Sequence, residues 1–149
     1  MKKSLVLLIT LVLIITGCSS KKIVTPKNNK EEKEVIERVS KVNIVIDNKE
    51  YILNLEDNVA ALELVSILPQ SFTMNELNGN EKYVYLDKTF TTNEISPKSI
   101  TRGDVMLYGD NCLVIFYKSF ETSYSYTKIG HIDNLGDLGK TKVNVEIER

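Results

Sequence analysis

The stretch Lys41-Val42-Asn43-Ile44-Val45-Ile46-Asp47-Asn48-Lys49-Glu50-Tyr51-Ile52-Leu53-Asn54-Leu55 decides the fold class of this chain. Val42, Ile44 and Ile46 alternate with Asn43, Val45 and Asp47. Tyr51, Leu53 and Leu55 then repeat the alternation. A period of two puts each apolar set on one face of a strand. Asp47-Asn48-Lys49 between them is turn chemistry, so the segment predicts an antiparallel hairpin.

The chain downstream keeps the same grammar. Asp57 and Asn58 are helix N-cap types, Ala61, Leu64, Val65 and Leu68 follow at helical spacing, and Pro69 ends the run. That predicts one short amphipathic helix near Asp57 to Leu68. Ser71 to Leu77 and Tyr83 to Leu86 read as strands joined through Asn78-Gly79-Asn80. A loop from Asn93 to Gly103, with Pro97 inside it, leads to the strand Val105 to Tyr108. Gly109-Asp110-Asn111 turns into the apolar run Cys112 to Tyr117. After a polar loop from Lys118 to Thr127 come a strand from Lys128 to Asp133, glycines at 136 and 139, and a last strand alternating Val143, Val145 and Ile147. About eight short strands with turn residues between them predict a mainly β fold, a small antiparallel barrel with one short helix over residues 41–149.

Upstream of Lys41 the composition differs. Lys2 and Lys3 precede an apolar run from Leu5 to Ile15, broken only by Thr10, and Ile15-Thr16-Gly17-Cys18 follows. A positive start, a short apolar stretch and small residues before a cysteine describe an export signal. The run is too short for a transmembrane helix, which needs about 20 apolar residues. The four residues ending at Cys18 resemble the lipobox of bacterial lipoproteins. That resemblance implies a signal peptide over residues 1–17, cleavage before Cys18 and a lipid on its sulfur, a diacylglycerol, with palmitate-type acylation. Two acyl chains suffice for stable anchoring. Residues 18–40, rich in Ser, Lys, Asn and Glu, then read as the lipidated cysteine and a flexible tether. The expected location is the extracytoplasmic face of a cell membrane.

Charge and cysteine content exclude several classes. The chain carries a formal charge of −1, and loss of Lys2 and Lys3 makes the mature form more acidic. A mildly acidic domain without a basic cluster does not suit nucleic acid. With Cys18 acylated, Cys112 is left without a partner, inside an apolar strand-like run where a buried, inert thiol is favoured.

Ile67-Leu68-Pro69, Phe72 through Asn78-Gly79-Asn80-Glu81-Lys82, Gly103-Asp104 before Val105 to Tyr108, Ile115-Phe116-Tyr117 and Ile129-Gly130-His131-Ile132-Asp133 together resemble a family of small bacterial cyclophilin-like domains. The resemblance runs from Lys41 to about Arg149. It implies a compact β-barrel related in shape to the cyclophilins. It does not carry their prolyl isomerase activity: true isomerases present an arginine, a glutamine and aromatic residues around an apolar proline pocket. This domain has only Arg102 and the terminal Arg149, and its glutamine, Gln70, follows the helix.

The remaining chemistry-bearing residues are sparse. His131 is the lone histidine, with Asp133 two residues on and on the same strand face. One His–Asp pair falls short of the three or four ligands of a zinc site, and no nucleophile elbow is present, so a hydrogen-bonded strand histidine is favoured. Arg102-Gly103-Asp104 spells a cell-adhesion tripeptide, but Gly103 has a local task in the turn entering the next strand. Tyrosines carry more information: Tyr83 and Tyr85 flank Val84, and Tyr108, Tyr117, Tyr124 and Tyr126 cluster further on. Loop tyrosines offer rigid amphipathic contacts. Arg102, Phe120, Tyr124 and Tyr126 are therefore the candidate ligand-binding surface, with folding back over an open barrel end as the competing arrangement. No catalytic residue, metal ligand or cofactor site is expected. The preferred function is a non-enzymatic binding module for a peptide, glycan or envelope protein. The alternatives are an isomerase-like foldase, which an apolar groove beside Arg102 would favour, and a structural subunit of an envelope complex.

Overall fold

The computed structural model describes residues 39–149. Residues 1–17, Cys18 and the tether up to residue 38 lie outside the described residues. Lys41 to Leu55 folds as the predicted hairpin of β1 (Lys41–Ile46) and β2 (Lys49–Leu55), with Ile46 opposite Lys49, so the turn holds only Asp47 and Asn48. Their φ angles of 46° and 65° are those of a type I′ turn, whose twist matches that of the strands it joins.

The chain continues through α1 (Val59–Ser66), β3 (Gln70–Leu77), β4 (Glu81–Tyr85), β5 (Ser99–Ile100), β6 (Asp104–Tyr108), β7 (Cys112–Phe116), β8 (Phe120–Glu121), β9 (Thr127–Ile132) and β10 (Val143–Glu148). Eight strands close a barrel in the order β1-β10-β3-β4-β7-β6-β9-β2. Every neighbouring pair is antiparallel. Closure leaves the barrel itself no free edge to recruit another chain.

Alternation fills the interior. Val42, Ile44 and Ile46 from β1, Leu53 from β2, Leu113 and Ile115 from β7, and Val143, Val145 and Ile147 from β10 all bury in one core. Helix α1 adds Ala60, Leu64 and Val65 to it. Its N-cap is Asn58, whose Oδ1 accepts from the Ala61 N–H at 2.9 Å while its Nδ2 donates to the Lys128 carbonyl on β9 at 2.8 Å. One side chain thus caps the helix and ties it to the barrel. At the other end the Arg149 guanidinium donates to the Val65 carbonyl at 2.9 and 3.3 Å, a cation at a helix C-terminus. Val39 packs against the core and the Ser40 carbonyl accepts from the Leu55 N–H, so ordered packing begins ahead of β1.

The structure adds an outer layer that the alternation did not predict. The loops expected from Asn93 to Gly103 and from Lys118 to Thr127 are not wholly irregular. They contain β5 and β8, which pair with Ile100 opposite Phe120, and Ile95 bridges to Tyr126. Two-residue strands are too short to show a period. What holds them is burial: Ile100 and Phe120 pack with Met106, Cys112, Val114, Phe116 and Tyr126 in a second apolar cluster. This cluster covers the outer face of β7, whose inner face fills the barrel core, so β7 is buried on both sides.

Candidate functional site

Strand β4 sets up the site. Lys82 and Val84 point to the interior, so Glu81, Tyr83 and Tyr85 point outward in one row. Pairing with β7 puts Tyr83 opposite Val114 and Tyr85 opposite Cys112, and pairing of β6 with β7 puts Tyr108 opposite Cys112 from the other side. The segment before β9 then brings Tyr124 and Tyr126 over Tyr108, with ring centres 6.0 and 5.8 Å away. The result is a groove of about 300 Å³ on the outer barrel wall. Cys112 and Val114 form its buried floor, Tyr83 and Tyr85 one wall, and Tyr108, Tyr124 and Tyr126 the other. Leu77, Asn78 and Glu81 complete its lining.

Edge-on packing stiffens both walls: Tyr83 meets Tyr85 at 6.0 Å and 79°, and Tyr126 meets Phe116 at 5.5 Å and 89°. Burial, reinforced by the negative charge of Glu76, raises the Glu81 carboxyl above its ordinary range. Burial also raises the Cys112 thiol; Glu81 pushes it further and a hydrogen bond with Tyr85 opposes them. A thiol held in its protonated form is a poor nucleophile. The Tyr126 phenol is raised chiefly by burial, against a hydrogen bond with Thr122, with Glu81, Tyr108 and Tyr124 adding to the rise.

The four residues expected to share one surface are divided. Tyr124 is exposed and Tyr126 is buried, and both line the groove. Phe120 lies behind the groove, its ring 5.6 Å from that of Phe116. Arg102 is exposed, with its backbone N–H donated to Ser119 Oγ at 2.9 Å, and neither it nor Gln70 lines the groove. The rings do not cap an open barrel end either; Phe120 and Tyr126 pack on Phe116, outside the barrel wall. Tyr83, Tyr85 and Tyr108, on strands β4 and β6, complete the groove beyond the residues expected to form it. Their signal was the Tyr83–Val84–Tyr85 spacing, which puts two rings on one face, beside a β7 apolar on both faces.

His131 lies elsewhere, on β9. Its Nδ1 is 3.1 Å from Asp104 Oδ1 and its Nε2 is 3.7 Å from Asp133 Oδ1, while Lys128 Nζ is 3.4 Å from Asp104 Oδ1. Asp104 is buried, and its Oδ2 also accepts from the Thr101 N–H. The acidic residue of Arg102-Gly103-Asp104 is therefore spent internally and not displayed. Gly103 has φ +98°, and a Cβ there would lie 2.2 Å from the Ile132 carbonyl oxygen, so the turn admits only glycine. Among the described residues no group of three or more His, Cys, Asp or Glu is placed to hold a metal ion, and no helix is long and apolar enough to cross a membrane.

A family model described as the cyclophilin-like family matches residues 44–148. The chain belongs to the cyclophilin-like family. No curated protein matches the sequence. The cyclophilin-like domain is also similar to the solution structure of a hypothetical protein from Archaeoglobus fulgidus, with a TM-score of 0.49 and 18% identity, over 74% of this chain and 94% of that one. What this cyclophilin-like barrel offers chemically is a half-open aromatic groove with one carboxyl group, a protonated thiol in its floor, and no basic residue in its lining.

Proposed function

We propose that this protein is a binding module, held at the outer face of a membrane by lipid on Cys18, that captures a peptide, glycan or envelope protein in the tyrosine groove. The observation that carries the reading is the convergence of Tyr83, Tyr85, Tyr108, Tyr124 and Tyr126 from three segments on one groove. Rigid rings concentrated on a part-buried floor are what interface anchors are made of. The position of the groove fits an anchored module. In the closed order β7 stands four strands from β1 in either direction, so the groove lies on the wall opposite the strand where the chain enters the barrel. On a flexible tether that wall stays free to meet a ligand.

The isomerase alternative asked for a groove beside Arg102. The groove found has tyrosines and a carboxyl group instead, which supports binding over amide rotation. The test is to probe immobilised peptide and cell-wall glycan arrays with the full chain and with Tyr85→Ala and Tyr124→Ala variants. Binding that both variants lose supports the proposal. Binding that neither affects places recognition outside the groove.

A further inference from the structure

Resting on the groove as the ligand site, we infer that its occupant is an extended lysine-bearing segment of a partner protein, whose ammonium group sits between the tyrosine rings and the Glu81 carboxylate. Glu81 is the charged side chain of the groove lining. Its neighbour Lys82 cannot answer it, because that side chain is buried inside the barrel and donates to the Gly139 and Thr141 carbonyls. The groove is therefore acidic at one end and lined by five tyrosines, whose rings carry negative charge over their faces. Such a surface attracts a cation and gains more from it once water is displaced. Cys112, Tyr117 and Tyr126 each feel the negative charge of Glu81, so its field reaches the floor and the far wall.

Shape decides between cations. A compact free ammonium ion needs an enclosed cage, but Tyr85 and Tyr124 are 65% and 61% exposed, and the groove is open along its length. Its volume of about 300 Å³ exceeds what an ammonium head fills. A lysine side chain brings four methylenes as well as a charge, and Val114 and Leu77 offer those methylenes an apolar path toward Glu81. Asn78 and the hydroxyls of Tyr83, Tyr108 and Tyr124 are available for the peptide backbone. Exposure of Tyr85 and Tyr124 leaves the groove open to a segment brought by a partner.

The test is amide chemical-shift titration of the full chain with three probes: a short capped lysine peptide, the same peptide with norleucine for lysine, and choline. The lysine peptide should shift groove resonances and bind about fivefold to tenfold more tightly than the norleucine peptide. Glu81→Gln should remove most of that difference. Tyr124→Phe, which keeps the ring, should retain binding, whereas Tyr124→Ala should lose it, with unfolding temperatures recorded for every variant to separate binding from folding. Equal binding of the norleucine peptide in the groove overturns the lysine assignment and leaves the binding module standing. Choline binding as tightly as the lysine peptide overturns the choice of a partner segment. Groove resonances unmoved by any probe overturn this inference, and the array experiment decides the binding reading separately.

Discussion

Lys82 Nζ lies 4.8 Å from the centre of the Tyr117 ring inside the barrel, where neither residue reaches solvent. The ammonium donates to the carbonyls of Gly139 at 2.7 Å and Thr141 at 2.6 Å. The Tyr117 hydroxyl donates to Glu76 Oε1 at 3.3 Å. A buried charge is tolerated here because two of its three N–H donors meet carbonyls and an aromatic face lies beside it. The arrangement pins the segment before β10 to β4.

Lys82→Met keeps the aliphatic stem and removes the charge. Two carbonyls then lose charged donors, at about 1–3 kcal/mol each when left unpaired, while the desolvation cost of the ammonium disappears. The expected net change is a loss below about 2 kcal/mol by urea unfolding, with faster amide exchange around Gly139 and Thr141. Lys82→Ala adds a cavity and should cost about 2–5 kcal/mol. Unchanged exchange in Lys82→Met would mean that the segment is held by other contacts.

Tyr117 makes stability depend on alkaline pH. Its phenol is pushed up to about 12, first by burial and then by the charge of Glu76. In the unfolded chain a tyrosine loses its proton near pH 10. The folded state therefore holds more protons between these values, and this contribution to stability is complete below about pH 10 and lost as pH rises toward 12. Lys82, lowered chiefly by burial, acts in the opposite direction, so the decline should show most cleanly in Lys82→Met. In that background Tyr117→Phe should flatten it. In the native protein a tyrosinate absorbance step near pH 12 should vanish with Tyr117→Phe.

Tyr124 and Tyr126 should behave as opposites. Tyr124→Ala removes a ring that is 61% exposed and should change stability by less than about 0.5 kcal/mol. Tyr126→Ala empties a buried site beside Phe116 and should cost about 3–5 kcal/mol. Denaturant midpoints measured side by side check both. Equal losses would mean that Tyr124 also supports the outer layer.

The proposed anchor rests on Ile15-Thr16-Gly17-Cys18. Wild-type protein is expected to partition into detergent, with a mature N-terminus at a lipid-bearing Cys18, and Cys18→Ala is expected to abolish both. An unmodified cysteine in the mass spectrum of membrane-extracted protein would end the lipoprotein reading.

Much of the barrel was legible because its signals are local. The two-residue period of β1, β2 and β10, the Asp47-Asn48 turn and the Asn58 cap each depend on neighbours within a few positions. Those signals determined the fold class, the positions of the barrel strands and helix α1. The cyclophilin-like motifs pointed to the same barrel, and the family match agrees.

Tertiary structure alone decided the groove. Tyr83 and Tyr85 meet Tyr108 and Tyr124 only because β7 runs between β4 and β6, a neighbour relation among strands that no local period encodes. It also decided that Tyr126 is buried while Tyr124 is exposed, since that depends on Phe116 lying beneath one ring and not the other. The burial of Asp104 is likewise a tertiary outcome, because β6 pairs with β9 and brings His131 and Lys128 to its carboxylate. A side chain's burial in a barrel depends on which distant strand covers it, and that is settled by closing the sheet.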